Sequence, residues 1–529
     1  MIGLYNSRYM QTSTSNPDSP RIAALVLNSV NHDARVLKEA DTLAEAGFDV
    51  HIIGIQDKRC PDPLTKRSPG VTIHRVSLSV NLMVRIYQNR AQNAMIGMVA
   101  MCMLAAGVVF TPLRSLFQSL GNSIMDIGIF PIIAAGCCLA IAGKMFLRYR
   151  KFQKAAIIKA REDGAATPIR KSKPASYTIA RRILSAIKSL VTAWKQFLKY
   201  RVVSSLYRNQ LDQIAPQAVH CHDLPMLPIG TKWCKANPHA KLVFDSHELY
   251  EEVSQMSSMM RRIWQRVLRR NASKVNAFIT VNDSIAGEHA KRYPALPPAV
   301  VIKNATIVDG KPLVRTNLIH DAADLNTGDR VLLYQGGFAP HRGLESLIES
   351  AAQMPEPWVL VMMGWGNIES NLKDLANKVD PHGKRIRFIP PAPHAELKSW
   401  TSGGDLGVIP YENTCLNHWY CSPNKLWEYP IAGVPMLVSP FPELKGVIDK
   451  HGVGACLPEK LDGAGLSKVL SDIDEDRLEN MRDACATYIA KDNWAVYAER
   501  LIEIYVSQFS FKPMIRETRS HENNQSVTA

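Results

Sequence analysis

The sequence predicts an α/β chain made of two doubly wound domains, each a parallel sheet covered by helices on both faces. Three observations carry that prediction. The 529 residues exceed what one hydrophobic core organises. Short apolar runs alternate with stretches of helical periodicity along most of the chain. The alternation then begins afresh at residue 330, beyond a polar stretch over 305–329 that contains no long apolar run. With 46% hydrophobic and 21% charged residues, the composition is that of a globular protein.

Residues 22–28 (IAALVLN) form a buried strand. In 33–47, Val36, Ala40, Leu43 and Ala44 recur at helical spacing and Gly47 closes the helix. Residues 49–54 (DVHIIG) supply the next strand, so the chain starts as a βαβ unit with parallel strands and a right-handed crossover. After an interruption, strands are expected at 217–221, 241–245, 277–281 and 299–303, which completes a first domain over 21–310. The second set falls at 330–335, 357–363, 385–389, 405–409 and 434–438, within a second domain over 325–490. Residues 491–511 read as a C-terminal helix returning to the first domain. Residues 1–20 and 512–529 read as polar, disordered tails. The N-terminus has no apolar core, so no cleavable leader is expected.

The interruption, 81–210, is chemically unlike the rest. The chain carries a net charge of +15, yet 81–208 alone holds about 20 Lys/Arg against about 3 Asp/Glu, roughly +17. The basic character is therefore local. Ala94–Phe110 and Ile127–Gly143 are each 17 residues long without a charge, and each spans roughly 25 Å as a helix. Arg85 and Arg90 precede the first run; Lys144, Arg148, Arg150, Lys151 and Lys154 follow the second. That distribution fits a bilayer hairpin over 94–143 with both outer ends, and the catalytic domains, in the cytoplasm. A re-entrant pair and a soluble buried hairpin are the alternatives. Along Ile179–Leu206, Ile183, Ile187, Leu190, Trp194 and Phe197 share a face with lysines and arginines between them. Such a helix suits an anionic membrane surface; a helix packed on the domain with a solvated basic face is the alternative. No nucleic-acid module is visible, so nucleic acid is not the expected partner. The ten cysteines show no CxxC or Cys/His metal spacing, and no metal site is expected.

The stretch SPNKLWEYPIAGVP, 422–435, points to a ligand. Ser422 reads as an N-cap and Pro423 as the first helical residue. Lys425 then lies in the first turn, where a cation opposes the helix dipole unless an anion neutralises both. Glu428 follows one turn on and can accept from a pair of sugar hydroxyls; an intrahelical Lys–Glu pair is the plainer reading. Pro430 should kink or end the helix. After the first strand of the second domain comes QGGFAPHRG, 335–343. There Gly336 and Gly337 let backbone approach a ligand, and Arg342 offers a bidentate phosphate donor.

Taken together, HDARVLKEADTLAEAGFDVHIIG, VHCHDLPMLP, VFDSHELYEE, ITVNDSIA, VLLYQGGFAPHRGLESLIESA, VMMGWG and SPNKLWEYPIAGVPMLVS resemble the GT-B fold glycosyltransferases of family 4 over about 350 residues. The resemblance implies a nucleotide-sugar donor held by the second domain, an acceptor held by the first, and chemistry in the cleft between them without a metal or other cofactor. It places Arg342 and Lys425 on the donor phosphates, with Asn424 beside them. Glu428 falls on the ribose, Gly364 near the nucleobase, and His247 near the reacting sugar, with a structural histidine as the alternative. Where the family often carries a first glutamate, this chain has Tyr420. His222 and Asp223 end another strand and either line the acceptor side or make loop contacts. Asp33 and Arg35 face the cleft in this reading, with Arg35 towards an acceptor phosphate. Asn282 reads as a helix cap. The departing nucleotide gains negative charge as the sugar becomes oxocarbenium-like, and Arg342, Lys425 and a helix N-terminus stabilise it. The expected function is retaining transfer of a sugar to a lipid-linked or membrane-associated saccharide acceptor. The alternatives are a nucleotide-sugar epimerase of the same fold and a catalytically silent membrane scaffold.

Overall fold

The computed structural model describes residues 19–31, 33–77, 200–254, 256–310 and 314–513. Met1–Val76 and Arg208–Ala529 group into one compact unit, which holds both sheets. The first sheet contains β1 (Arg21–Leu25), β2 (Asp49–Ile55), β3 (Leu64–Ser68), β4 (Val71–Val76), β5 (Ala218–His222), β6 (Lys241–Ser246), β7 (Ala277–Thr280) and β8 (Ala299–Val301). Their order is β3-β4-β2-β1-β5-β6-β7-β8, parallel throughout except for the β3–β4 pair. The second sheet contains β9 (Arg330–Gly337), β10 (Trp358–Trp365), β11 (Ile386–Ile389), β12 (Leu406–Ile409), β13 (Met436–Val438) and β14 (Gly454–Cys456), all parallel in the order β11-β10-β9-β12-β13-β14.

Both sheets are buried on two faces, so their central strands read as continuous apolar runs. All five residues of β5 are buried, and so is all of β12. The strand order reverses between β1 and β5 in the first sheet and between β9 and β12 in the second. Loops at the carboxyl ends of those strands diverge and leave a crevice. The loops concerned are those after β1, β5, β9 and β12, and the functional residues below come largely from them.

Two strands of the first sheet were not expected. β3 reads LTKRS and is mostly exposed at the sheet edge, so it has no apolar run to betray it. β4 (VTIHRV) alternates buried and half-buried positions. β14 is only three residues long. The hairpin 94–143 lies outside the described residues, as do 1–18, 514–529 and all of 179–206 before residue 200. Residues 200–214 are helical. Among the described residues, no helix is long and apolar enough to cross a membrane.

Five helices position the functional side chains. α1 (Ala34–Glu45) buries Val36, Ala40, Leu43 and Ala44 on the sheet, but also Arg35 and Glu39. Asp33 caps it by accepting from the Val36 N–H at 3.3 Å. α2 (Ser258–Asn271) follows β6, and α3 (Asp283–Arg292) follows β7. Asn282 caps α3 through the Ile285 N–H at 2.8 Å. α4 (Leu416–Trp419) and α5 (Lys425–Ile431) follow β12. A sixth helix, α6 (Trp494–Glu503), crosses back to the first domain. There Trp494 Nε1 donates to Thr42 Oγ1 at 2.8 Å, and Trp494, Tyr497 and Leu501 are buried. A π-helical turn over Ile504–Gln508 brings the Tyr505 hydroxyl 2.9 Å from His220 Nδ1.

Candidate active site

The quoted helix starts later than its sequence suggests. Ser422 is not its cap. The Leu426 N–H bonds to Pro423 O at 3.0 Å, and the Trp427 and Glu428 N–H groups bond to Asn424 O, so Asn424 is the capping residue and Lys425 the first helical one. Pro430 is the penultimate residue, and the helix stops at Ile431. Tyr429 fastens α5 to β9: its buried hydroxyl donates to Leu333 O at 2.9 Å and accepts from the Gln335 N–H at 3.2 Å. This anchor sets Lys425 and Glu428 beside the carboxyl end of β9.

At that end Gly336 has φ +122°, and a Cβ built there would lie 3.0 Å from Lys425 Nζ. A side chain would therefore be strained and would crowd the ammonium. Arg342 donates to the Tyr411 hydroxyl at 2.6 Å, and Lys425 Nζ reaches the same oxygen at 3.5 Å. The ammonium also lies 5.4 Å from the Tyr334 ring centre. Among the described residues, neither cation is ion-paired with a carboxylate. Lys425 is only 7% exposed, and burial lowers its pKa. Two cations converging on one phenol in a dry setting repel each other, and an anion between them relieves the repulsion. Burial pushes the Tyr411 phenol up to about 12, so the phenol stays neutral.

Glu428 Oε2 accepts from Gln335 Nε2 at 3.1 Å, and Gln335 Oε1 accepts from Thr401 Oγ1 at 2.7 Å. The carboxylate is thus aimed by a fixed amide, not held by Lys425. Gly337 and Gly364 serve the sheet. Gly364 pairs with Gly336, and a Cβ on it would lie 1.9 Å from Gly336 O, while Gly337 pairs with Trp365. Gly336 and the exposed Trp365 line the cavity beside Lys425, whose lining does not include Gly337 or Gly364.

The first domain contributes a buried charge cluster. Asp245, at the end of β6, accepts two bonds from Arg35, both 2.9 Å. Arg35 also donates to Ile302 O at 2.7 Å and Asn304 Oδ1 at 3.0 Å, and lies 3.0 Å from Glu39. Arg35 is therefore built into the domain and presents no free guanidinium for an acceptor phosphate. Glu39, His220, His222 and Asp245 place ligand atoms within 4.8 Å of one another. The Arg35 guanidinium already supplies a cation to both carboxylates of that group. Burial raises the Glu39 pKa, whereas Arg35 and His247 hold Asp245 well below the carboxylate range against its burial.

His247 touches Asp245 at 3.1 Å through Nε2 and Asp223 at 3.6 Å through Nδ1. Burial opposes its charge, but the Asp223 and Asp245 carboxylates outweigh it and raise its pKa to about 9. The imidazolium is thus the stable form at neutral pH. His222 is buried, 3.2 Å from His247 and stacked on His220, so it supports the histidine from behind. Asp223 adopts φ +63°, which Asp tolerates, and this turns its carboxylate towards His247.

Two cavities meet at His247. One, of about 470 Å³, is lined by the loop after β1, including Asn28, Asn31 and Asp33, and by Lys38. The other, of about 560 Å³, is lined by Gln335, Gly336, Arg342, Tyr411, Lys425 and Glu428 among others. His247, Asn304 and Asn424 line both. Asn417 of α4 joins the domains beside them: its Oδ1 accepts from Leu249 N at 2.8 Å and its Nδ2 donates to Leu249 O at 3.0 Å. Tyr420 packs on the apolar cluster of Leu249, Val281 and Ile285, while its carbonyl accepts from Asn282 at 2.8 Å.

The structure gathers Gly336, Arg342, Asn424, Lys425 and Glu428 around one cavity, with His247 at its mouth. Sequence reasoning missed Tyr411, Gln335, Asn304, Trp365 and Glu248, whose pKa is pushed up to about 7 by burial and by Asp223. It also missed Lys38, lowered to about 7 by burial and by Arg35, with its Nζ 4.1 Å over the Trp494 ring. For Lys38 a signal existed: it lies one turn beyond Arg35 on the same helix face.

Two family models match the chain, Glycosyltransferase Family 4 over residues 165–309 and Glycosyl transferases group 1 over 316–492. A D-inositol 3-phosphate glycosyltransferase from Thermobispora bispora is 27% identical over 244 residues, 42% of this chain and 53% of that protein, so the match spans about half of the relative's length. Among solved structures, sucrose-phosphate synthase from Thermosynechococcus elongatus aligns with TM-score 0.59 at 13% identity, covering 93% of this chain and 99% of that one. WaaG, a glycosyltransferase involved in lipopolysaccharide biosynthesis, aligns with TM-score 0.53 at 12% identity over 92% and 100%. An Anabaena protein, HepE, in complex with UDP and glucose, aligns with TM-score 0.52 at 10% identity over 92% and 100%. At these identities the structural likeness concerns the fold.

Proposed function

The chain is a GT-B glycosyltransferase of family 4 type, and from that premise we propose that it transfers a sugar, with retention, from a nucleotide-diphosphate sugar to a lipid-linked or membrane-associated saccharide acceptor. One observation carries the donor half: Arg342 and Lys425 converge on the Tyr411 hydroxyl with no carboxylate partner among the described residues, beside a Glu428 aimed by Gln335. A diphosphate fills the place between the cations, and an adjoining ribose gives its hydroxyls to Glu428. As the glycosidic bond breaks, charge builds on the leaving diphosphate, and both cations stabilise it without reorganising. The His247 imidazolium stands where the two cavities meet, with its two ring nitrogens directed at Asp245 and Asp223, so it bears on the sugar undergoing transfer through its positive charge. The solved complex of HepE with UDP and glucose supports a donor of this class.

The acceptor half rests on composition. The insertion 81–210, basic and twice apolar, suits a catalytic domain held at the cytoplasmic face of a bilayer, where a lipid-linked saccharide presents its sugar to the amide-lined cavity after β1. The test has two stages. A thermal-shift panel of nucleotides and sugar nucleotides identifies the base, because binding raises apparent stability by RT ln(1 + [L]/Kd). Transfer from the selected donor to extracted lipid acceptor then tests the reaction. A folded protein that responds to no nucleotide, or transfers from none, refutes the proposal.

A further inference from the structure

Helix α2 carries a surface that the reaction does not use. Its sequence, SMMRRIWQRVLRRN, contains five arginines and no acid, and Leu268 is its one buried residue. Arg261 is held by the Glu251 carbonyl at 3.1 Å and by Glu252. Arg262, Arg266, Arg269 and Arg270 are exposed, and among the described residues none of them is ion-paired. Met259 is 46% exposed and Ile263 44%. At 100° per residue, Met259, Ile263, Arg266 and Arg270 fall on one stripe, flanked by Arg262 and Arg269. Two large apolar side chains set in a field of unpartnered guanidinium groups match an interface that is anionic outside and oily beneath. They do not match a nucleic acid, which offers nothing for Met259 and Ile263 to enter and would call for exposed aromatics among the arginines.

We propose that α2 is a membrane-surface helix. Met259 and Ile263 enter the headgroup region of an anionic bilayer, and the four arginines meet lipid phosphates. The inference deepens the membrane part of the proposed function but stands on this helix alone, whether or not residues 94–143 enter the bilayer. It also ties the lipid to the chemistry. Trp264, on the flank of α2, packs edge-on against Tyr250 at 5.1 Å. Tyr250 lies three residues beyond His247, in the loop whose Leu249 backbone Asn417 holds. Docking of α2 therefore fixes the loop that carries the histidine.

Hydrogen exchange on the full chain tests this, with vesicles of phosphatidylcholine alone and vesicles that also contain phosphatidylglycerol. Amides over 257–271 should slow on the anionic vesicles only. Met259→Ser combined with Ile263→Ser should abolish that slowing. Arg262→Gln combined with Arg266→Gln should weaken the segment's partitioning roughly 25-fold, taking about 1 kcal/mol per basic residue. Unchanged exchange over 257–271 on anionic vesicles overturns the proposal, as does equal slowing by neutral vesicles or by single-stranded RNA. Protection of 425–428 by nucleotide, read in the same experiment, reports the donor site separately, so the two readings fail independently.

Discussion

Arg35 and Arg342 occupy corresponding places in the two domains: each follows a central strand at the point where the strand order reverses, and each lies beside a cavity. Their surroundings are opposite. Arg35 is enclosed by Asp245, Glu39, Asn304 and a carbonyl, and nothing of its charge is left for a ligand. Arg342 has a neutral phenol and a second cation for company. A guanidinium satisfied by its own chain holds the fold together; one left with a neutral partner beside an ammonium is a receptor. The crevice location is common to both, so partner chemistry, and not position, separates them.

The comparison can be broken most directly at Arg35. Arg35→Met leaves the Asp245 carboxylate buried without its guanidinium and should cost about 3–5 kcal/mol of stability in urea denaturation. A loss below about 1 kcal/mol, with transfer abolished, would make Arg35 a ligand contact after all. Arg342→Ala should do the reverse. Donor kcat/KM should fall about 10²–10³-fold, the loss typical of removing one donor to a developing anion. The melting temperature of the unliganded protein should hold or rise, because a repulsion is removed. Glu428→Gln should raise the donor KM about tenfold or more, at ~1.5 kcal/mol for a hydrogen bond to a charged group, with a smaller effect on kcat.

The remaining prediction is a pH dependence. The His247 pKa is raised from its ordinary 6.5 to about 9 in the folded protein. Folding therefore takes up a proton between those values. The stability from this group is complete below about pH 6.5 and is lost as the pH rises through 9. Asp223→Asn removes one of the two carboxylates responsible and should narrow that window from its upper end, as read from denaturation midpoints across a pH series.

What the sequence disclosed, and what it withheld, follows from distance along the chain. Gly336 with Arg342, and Lys425 with Glu428, lie within a few residues of each other, and a lysine in a first helical turn is an anomaly that needs no tertiary information. Both sheets were legible because buried parallel strands are written as apolar runs. The edge strand β3 was not, because its residues face water. Glu39 lies one turn from Arg35, but Asp245, Ile302 and Asn304 lie 210, 267 and 269 residues away, so the sequence could place Arg35 near the crevice but could not say that Asp245 would occupy it. Tyr411 and Gln335 escaped notice for the same reason: their use appears only when β9 and the segment after β12 lie side by side. Tyr420 looked like a lost carboxylate in the pocket, whereas its ring belongs to an apolar contact between the domains.

The return of α6 has a consequence for biosynthesis. The first domain opens with β1 at residue 21, yet Phe48, Thr42 and His220 complete their surroundings with Trp494 and Tyr505. A ribosome must therefore deliver the chain through Tyr505 before that early domain can seal its interior. The second domain, encoded later, has the shorter wait.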